Sequence, residues 1–254
     1  MRVSIVQSNI HWENPNRNYE DYDLLFSKIT DTDLIVLPEM FQTGFSMNPY
    51  EFAESMDGPS ICFLKVWSNQ LGCAICCSMM IKEDDRYYNR FLFIKPDHSV
   101  EYYDKSHLFG DEKKHFVKGS SQKIIEWKGI RFLPLVCYDL RFPVFSRYST
   151  ENQYDVIINV ANWPEVRSLA WNTLLKARAI ENQSYVIGCN RVGIDGNGLK
   201  YCGDSSVVSP FGEVLITSKV ESVLEINLDI YKLKNLREET KFLEDRDPFS
   251  FISS

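Results

Sequence analysis

The chain has 254 residues, 44% of them hydrophobic and 25% charged, which gives enough apolar surface for a sizeable core and no compositional case for disorder. Its net charge of −7 comes with no run of basic residues, so nucleic acid and anionic membranes are excluded as expected partners in favour of a small molecule. The opening MRVSIVQSNIHW lacks the apolar stretch and cleavage site of a signal peptide, and no run of ~18 apolar residues suggests a membrane span, so a soluble, cytoplasmic protein is expected.

In chain order, residues 2–7 read as a strand, 16–29 as a helix, and 34–37 (LIVL) as a buried strand stopped by Pro38. A helix follows at 59–71, then strands at 72–80 and 90–95 with the polar KEDDR segment turning between them. Residues 130–136 form a strand ending at Cys137, 142–149 a short helix, and 156–159 (VIIN) another buried strand. A longer helix spans 168–182, where Leu169, Trp171, Leu174, Leu175, Arg178 and Ala179 fall at helical spacing. Strands resume at 184–189, 205–208, 214–217 and 222–226, with SPFG at 209–212 as a turn. Val- and Ile-rich strands alternating with helical patterns, without repeat or long linker, predict a layered α/β fold in one domain, residues 1–254.

Three polar residues stand where apolar, strand-like runs end: Glu39 after LIVLP, Lys105 after VEYYD, and Cys137 after FLPLV. Ligands of open α/β sheets bind at the carboxyl ends of strands, where side chains leave the sheet for a crevice. Taken singly, each has a plainer explanation. A Cys after an apolar run is more often a small buried hydrophobe, a Glu after Pro a turn residue or cap, and a Lys beside Asp a solvated pair. The Cys-x-x-Cys spacing in CAICC at 73–77 has no second pair, and His11, His98, His107 and His115 are dispersed, so that stretch reads as a core strand and no metal or other cofactor is expected. Seven scattered cysteines suit reduced thiols better than a disulfide framework.

The combination of segments changes the odds. LPEMFQTGF at 37–45, YDKSHLF at 103–109 and LVCYDLRFP at 135–143 resemble, in that order, the signature regions of the nitrilase superfamily of carbon–nitrogen hydrolases. The resemblance continues through NWPEVR at 162–167, ARAIENQSYV at 177–186 and GDSSVVSPFGEV at 203–214, so it covers essentially the whole chain.

What the resemblance implies is an α-β-β-α four-layer sandwich with a Glu39, Lys105 and Cys137 triad. The residue types suit the chemistry. A thiol of pKa ~8.5 needs a base as it attacks an amide carbonyl, and a buried cation with a backbone N–H, here that of Tyr138, suits the oxyanion. Glu112 in DEKKHFVKG matches a second glutamate of the family that orients the Lys or the water, against its plainer reading as one acid in a charged turn. Asp139 and Arg141 are expected to brace the loop, Arg141 through a carboxylate, and Arg178 with Glu181 to form an ion pair behind the site.

Within the superfamily the chain looks most like omega-amidases, which release ammonia from short 2-oxo acid amides such as 2-oxoglutaramate and 2-oxosuccinamate. Arg167 is then the candidate partner of the substrate carboxylate and Trp163 a pocket wall, with ordinary core packing the alternative for Trp163. Another small amide, deaminated glutathione or an N-carbamyl amino acid, would use the same triad. A binding protein that had lost its chemistry would have lost one of the three residues, and all three are present. The resemblance also implies a homodimer; the closing segment KFLEDRDPFSFISS is expected to pack across its interface, and loops 47–56 and 110–119 to shape the pocket.

Overall fold

The computed structural model describes residues 1–250. Its elements run β1 (Arg2–Gln7), α1 (Pro15–Phe26), β2 (Leu34–Val36), α2 (Pro49–Phe52), α3 (Pro59–Leu71), β3 (Ala74–Glu83), β4 (Arg86–Ile94) and β5 (Val100–Asp104). Then come α4 (Glu112–His115), β6 (Ile125–Trp127), β7 (Ile130–Val136), a 3₁₀ turn (Cys137–Arg141), β8 (Val156–Val160), a second 3₁₀ turn (Glu165–Arg167) and α5 (Ser168–Asn182). The chain continues through β9 (Tyr185–Cys189), β10 (Val192–Ile194), β11 (Lys200–Cys202), β12 (Ser205–Val208), β13 (Val214–Ser218), β14 (Ser222–Asn227) and α6 (Ile230–Thr240).

The strands form two six-stranded sheets, ordered β14-β1-β2-β3-β4-β5 and β13-β12-β9-β8-β7-β6, and β10 pairs with β11 in a separate hairpin. Strand alternation explains the layering. Val3, Ile5, Ala74 and Cys76 turn one way and pack with Phe132, Val136 and Val160 of the other sheet. Their neighbours Val6, Ile75 and Cys77 turn the opposite way onto Tyr22 and Phe26 of α1 and Ile61 and Leu64 of α3. Across the other sheet, Trp171, Leu175 and Ala179 bury the inner stripe of α5. That close approach requires Gly188, because a Cβ there would meet Leu175 at 2.6 Å and Trp171 at 2.8 Å. The result is the expected α-β-β-α sandwich, with each fully buried Leu, Ile or Phe contributing about 1.5–3 kcal/mol through burial.

The alternation also separates the Cys-x-x-Cys pair. Cys73 packs with the helix-facing layer and Cys76 with the core between the sheets, so the two thiols cannot share an ion. Among the described residues no group of three potential ligands is placed to hold a metal, and no helix is long and apolar enough to cross a membrane.

Two expectations are corrected. No helix forms at 142–149: after the 3₁₀ turn Phe142 is extended (φ −107°, ψ 93°), and only a single turn, Arg147 N–H to Val144 carbonyl at 3.2 Å, follows Pro143. Phe145 and Tyr148 still reach the core at the spacing that suggested a helix, but the Ser146 hydroxyl bonds the Pro143 carbonyl instead of leaving it to the backbone. The hairpin after α3 also extends further than its apolar run, with β3 reaching Glu83 and β4 starting at Arg86, so Asn89 lies inside a strand. Of the closing segment, Arg246 lies over Tyr148 of its own chain, and residues 251–254 fall outside the described part.

Candidate active site

The carboxyl ends of β2, β5, β7 and β8 converge. Pro38 ends the pairing of β2, and Glu39 follows as a fully buried side chain. Lys105 is the first residue after β5, Cys137 the first after β7, and Asn162 lies two past β8. Glu112 opens α4 and is also fully buried.

Lys105 Nζ donates to Glu39 Oε1 at 2.8 Å and to Glu112 Oε2 at 2.8 Å, and the ammonium is wholly shielded from solvent. Glu112 Oε2 also accepts the Phe109 N–H at 2.7 Å. Glu39 Oε2 accepts the Asn162 N–H at 2.9 Å, and the Glu39 carbonyl accepts Asn162 Nδ2 at 2.5 Å. Asn89 Nδ2 donates to Oε1 of both carboxylates, at 2.9 Å each. Burial disfavours the Lys105 charge, but Glu112 and Glu39 outweigh it and hold the ammonium protonated beyond its usual range. At Glu112 burial pushes the carboxyl above its ordinary value, against the opposing pull of Lys105 and Asn89.

Cys137 occupies the left-handed region (φ 47°), and its N–H is held by Asn159 Oδ1 at 2.9 Å. Burial, then the Glu39 charge, push its thiol well above the ordinary value, while Lys105 pulls the other way. The sulfur is therefore a protonated thiol at neutral pH.

Asp139 braces the turn, as expected from its place after the Cys. It accepts the Val136 N–H (3.0 Å) and the Tyr103 hydroxyl (2.9 Å), and it meets His107 at both the backbone N–H (3.0 Å) and Nδ1 (2.8 Å). Arg178 donates to Glu181 (2.8 Å) and to the Leu140 carbonyl (2.7 Å) behind the same turn. Arg141 differs from expectation. Among the described residues it has no carboxylate partner; its guanidinium lies 5.0 Å from the Trp163 ring centroid and lines the pocket in front of Cys137. Arg141 closes the 3₁₀ turn that Cys137 opens, and its side chain lies on the pocket side of that turn.

That pocket, about 60 Å³, is also lined by Tyr138, Trp163, Arg167, Phe109 and Tyr201. The Trp163 indole donates to the Arg167 carbonyl (2.8 Å), and the Arg167 guanidinium sits 5.3 Å from the Phe109 ring centroid. Tyr201 comes from the β10–β11 hairpin and is fixed by Asp195 at 2.8 Å. Loop 110–119 contributes Glu112 to the site rather than to the wall of this pocket.

Sequence reasoning missed Asn89, Asn159, Asn162 and Tyr201. For Asn159 a signal existed: a lone amide inside the buried run VIINV must find a partner. Asn89 was hidden because the expected strand after the KEDDR turn begins only at residue 90; Asn162 opens the NWPEVR run but is given no role there, and nothing local marks Tyr201.

Residues 2–238 match the model of a family described as carbon-nitrogen hydrolase. The chain is 42% identical over 253 residues to the protein named omega-amidase YafV of Escherichia coli (strain K12), covering 98% of each. It is 30% identical over 250 residues to the protein named 2-oxoglutaramate amidase of Bacillus subtilis, covering 96% of each. A CN-hydrolase superfamily protein of Xanthomonas campestris, solved with an arsenic adduct in its active site, superposes with TM-score 0.96 at 39% identity, covering 99% of this chain and 98% of that one.

Proposed function

The chain belongs to the carbon-nitrogen hydrolase family and is a hydrolase acting on amides; within that activity, we propose that it hydrolyses the terminal amide of short 2-oxo acid amides, 2-oxoglutaramate and 2-oxosuccinamate. The observation that carries this reading is the buried Lys105 ammonium, 2.8 Å from both Glu39 and Glu112, beside a protonated Cys137 at the base of a small pocket. The relatives' names supply the substrate class.

In this reading Glu39 takes the thiol proton as Sγ bonds to the amide carbon. Lys105 has three N–H donors, two of them spent on carboxylates, so the third serves the oxyanion together with the Tyr138 backbone N–H. Collapse breaks the C–N bond, and the proton on Glu39 leaves with the nitrogen as ammonia. The thioester is then cut by a water whose proton passes to Glu39, and Cys137 recovers its hydrogen as the acid departs. Glu112 anchors Lys105 throughout. Arg167 faces the substrate carboxylate, and Trp163 walls the pocket.

The reading extends to one domain, a reducing cytoplasmic setting and a homodimer. All seven cysteines are free, and Leu169 and Ile180, eleven residues apart on one stripe of α5, are exposed apolar side chains of the kind a partner covers. Ammonia release from 2-oxoglutaramate by the purified protein, set against a panel of other amides, tests the substrate assignment.

A further inference from the structure

Asn89 stands in β4 opposite Met80 of β3, fully buried. Both hydrogens of its Nδ2 are committed, one to Glu39 Oε1 and one to Glu112 Oε1, at 2.9 Å each. Its Oδ1 accepts the Ser78 hydroxyl at 2.9 Å, and Ser78 in turn accepts the Met40 N–H at 3.2 Å. The Asn89 carbonyl accepts the Lys105 N–H at 3.0 Å. One residue therefore holds both carboxylates and the backbone that carries the ammonium.

Lone pairs decide what this does. Each carboxylate oxygen offers about two acceptor sites. Glu39 Oε1 fills both, with Asn89 and Lys105, and Glu112 Oε2 fills both, with Lys105 and Phe109. Glu39 Oε2 has a single donor, the Asn162 N–H, and so keeps a site open. Glu112 Oε1 also has a single donor, the Asn89 amide, but it is the Glu39 side chain that the Cys137 thiol meets, and a proton lodged at Glu39 Oε1 would have to displace Asn89 or Lys105.

We propose that Asn89 is a positioning residue of the reaction: by donating to both glutamates at once it keeps them ionised inside the protein and leaves Oε2 of Glu39 as the acceptor for the thiol proton. This rests on Glu39 being the base. The titratable groups within the cluster are Glu39, Glu112, Lys105 and Cys137, two acids and one base before the thiol reacts, and Tyr201, Arg141 and Arg167 face the thiol from the pocket side. Without the amide, two buried carboxylates share one ammonium, and the cheaper arrangement is for one to take up a proton. The Asn89 hydrogen bond opposes the upward push of burial at Glu112, in keeping with that role.

The test is the pH dependence of Cys137 alkylation by iodoacetamide, which needs no amide substrate, read beside kcat and KM. In Asn89→Leu the acid limb of alkylation moves up by about one pH unit and kcat falls by about tenfold or more, with KM within about twofold. Asn89→Ser, which keeps one donor, recovers part of both changes. A fall in rate with the limb unmoved would overturn the proposal, since a merely structural residue lowers activity without shifting the profile. Should Asn89→Leu fail to fold, Ser78→Ala decides: loss of the hydroxyl that orients Asn89 moves the limb in the same direction by less, and no movement refutes the assignment. If the wild type leaves 2-oxoglutaramate untouched, the substrate reading fails while the alkylation profile still decides the role of Asn89.

Discussion

Asn159 Oδ1 accepts the backbone N–H of Cys137 at 2.9 Å, and this bond fixes the proposed nucleophile, whose φ of 47° costs a non-glycine residue about 1–2 kcal/mol. Asn159 lies in β8, the parallel neighbour of β7, so pairing of the two strands delivers the acceptor to the strained turn. Asn159→Ala should lower kcat by about tenfold or more and cost about 1–3 kcal/mol of stability, because a largely buried N–H loses its partner. Turnover equal to wild type in a folded Asn159→Ala protein would show that the turn holds its shape without the amide.

Glu112→Gln keeps the shape but removes the charge that helps to hold Lys105. We expect turnover at least tenfold lower with KM little changed, since the cation's place at the oxyanion is lost while the pocket is not. Turnover within about threefold of wild type would make Glu112 an ordinary acid of a charged turn.

The Cys137 thiol, raised by burial and by Glu39, should show no thiolate ultraviolet absorption at neutral pH when wild type is compared with Cys137→Ser. The sign for stability follows from the same shift. An unfolded chain releases its thiol proton near pH ~8.5–9, whereas the folded chain retains it, so the folded state binds more protons and stability falls as pH rises through that range. Denaturant melts should show a decline above pH ~9 that is shallower in Cys137→Ser. A neutral-pH thiolate signal would mean that Lys105 outweighs burial and Glu39.

Arg167→Ala should raise KM for 2-oxoglutaramate by about tenfold while iodoacetamide labelling of Cys137 is unchanged, as expected for loss of a charged hydrogen bond to substrate. An unchanged KM would release the carboxylate to another donor of the same pocket, where Arg141 also lies.

How much of this was legible in the sequence depended on range. A layered α/β fold was readable because strand and helix periods repeat along the chain, the α-β-β-α sandwich came with the family resemblance, and the positions of Glu39, Lys105 and Cys137 at strand ends suggested one crevice. Arg141 was misassigned because a single turn of 3₁₀ helix decides which way its side chain leaves, and sequence does not encode that direction. Asn89 was lost because the β3–β4 hairpin extends beyond its apolar run, its polar arms paying no penalty at the sheet end. Tyr201 reaches the site from a hairpin stabilised by Asp195, a contact made only after the chain has folded.

Ammonia release from 2-oxoglutaramate, measured for wild type and Cys137→Ala with other small amides alongside, addresses the central claim most directly. The account predicts rapid turnover that disappears in the variant and favours the 2-oxo acid amide over the panel. Turnover that survives in Cys137→Ala, or a wild type inert towards every amide tested, would contradict it.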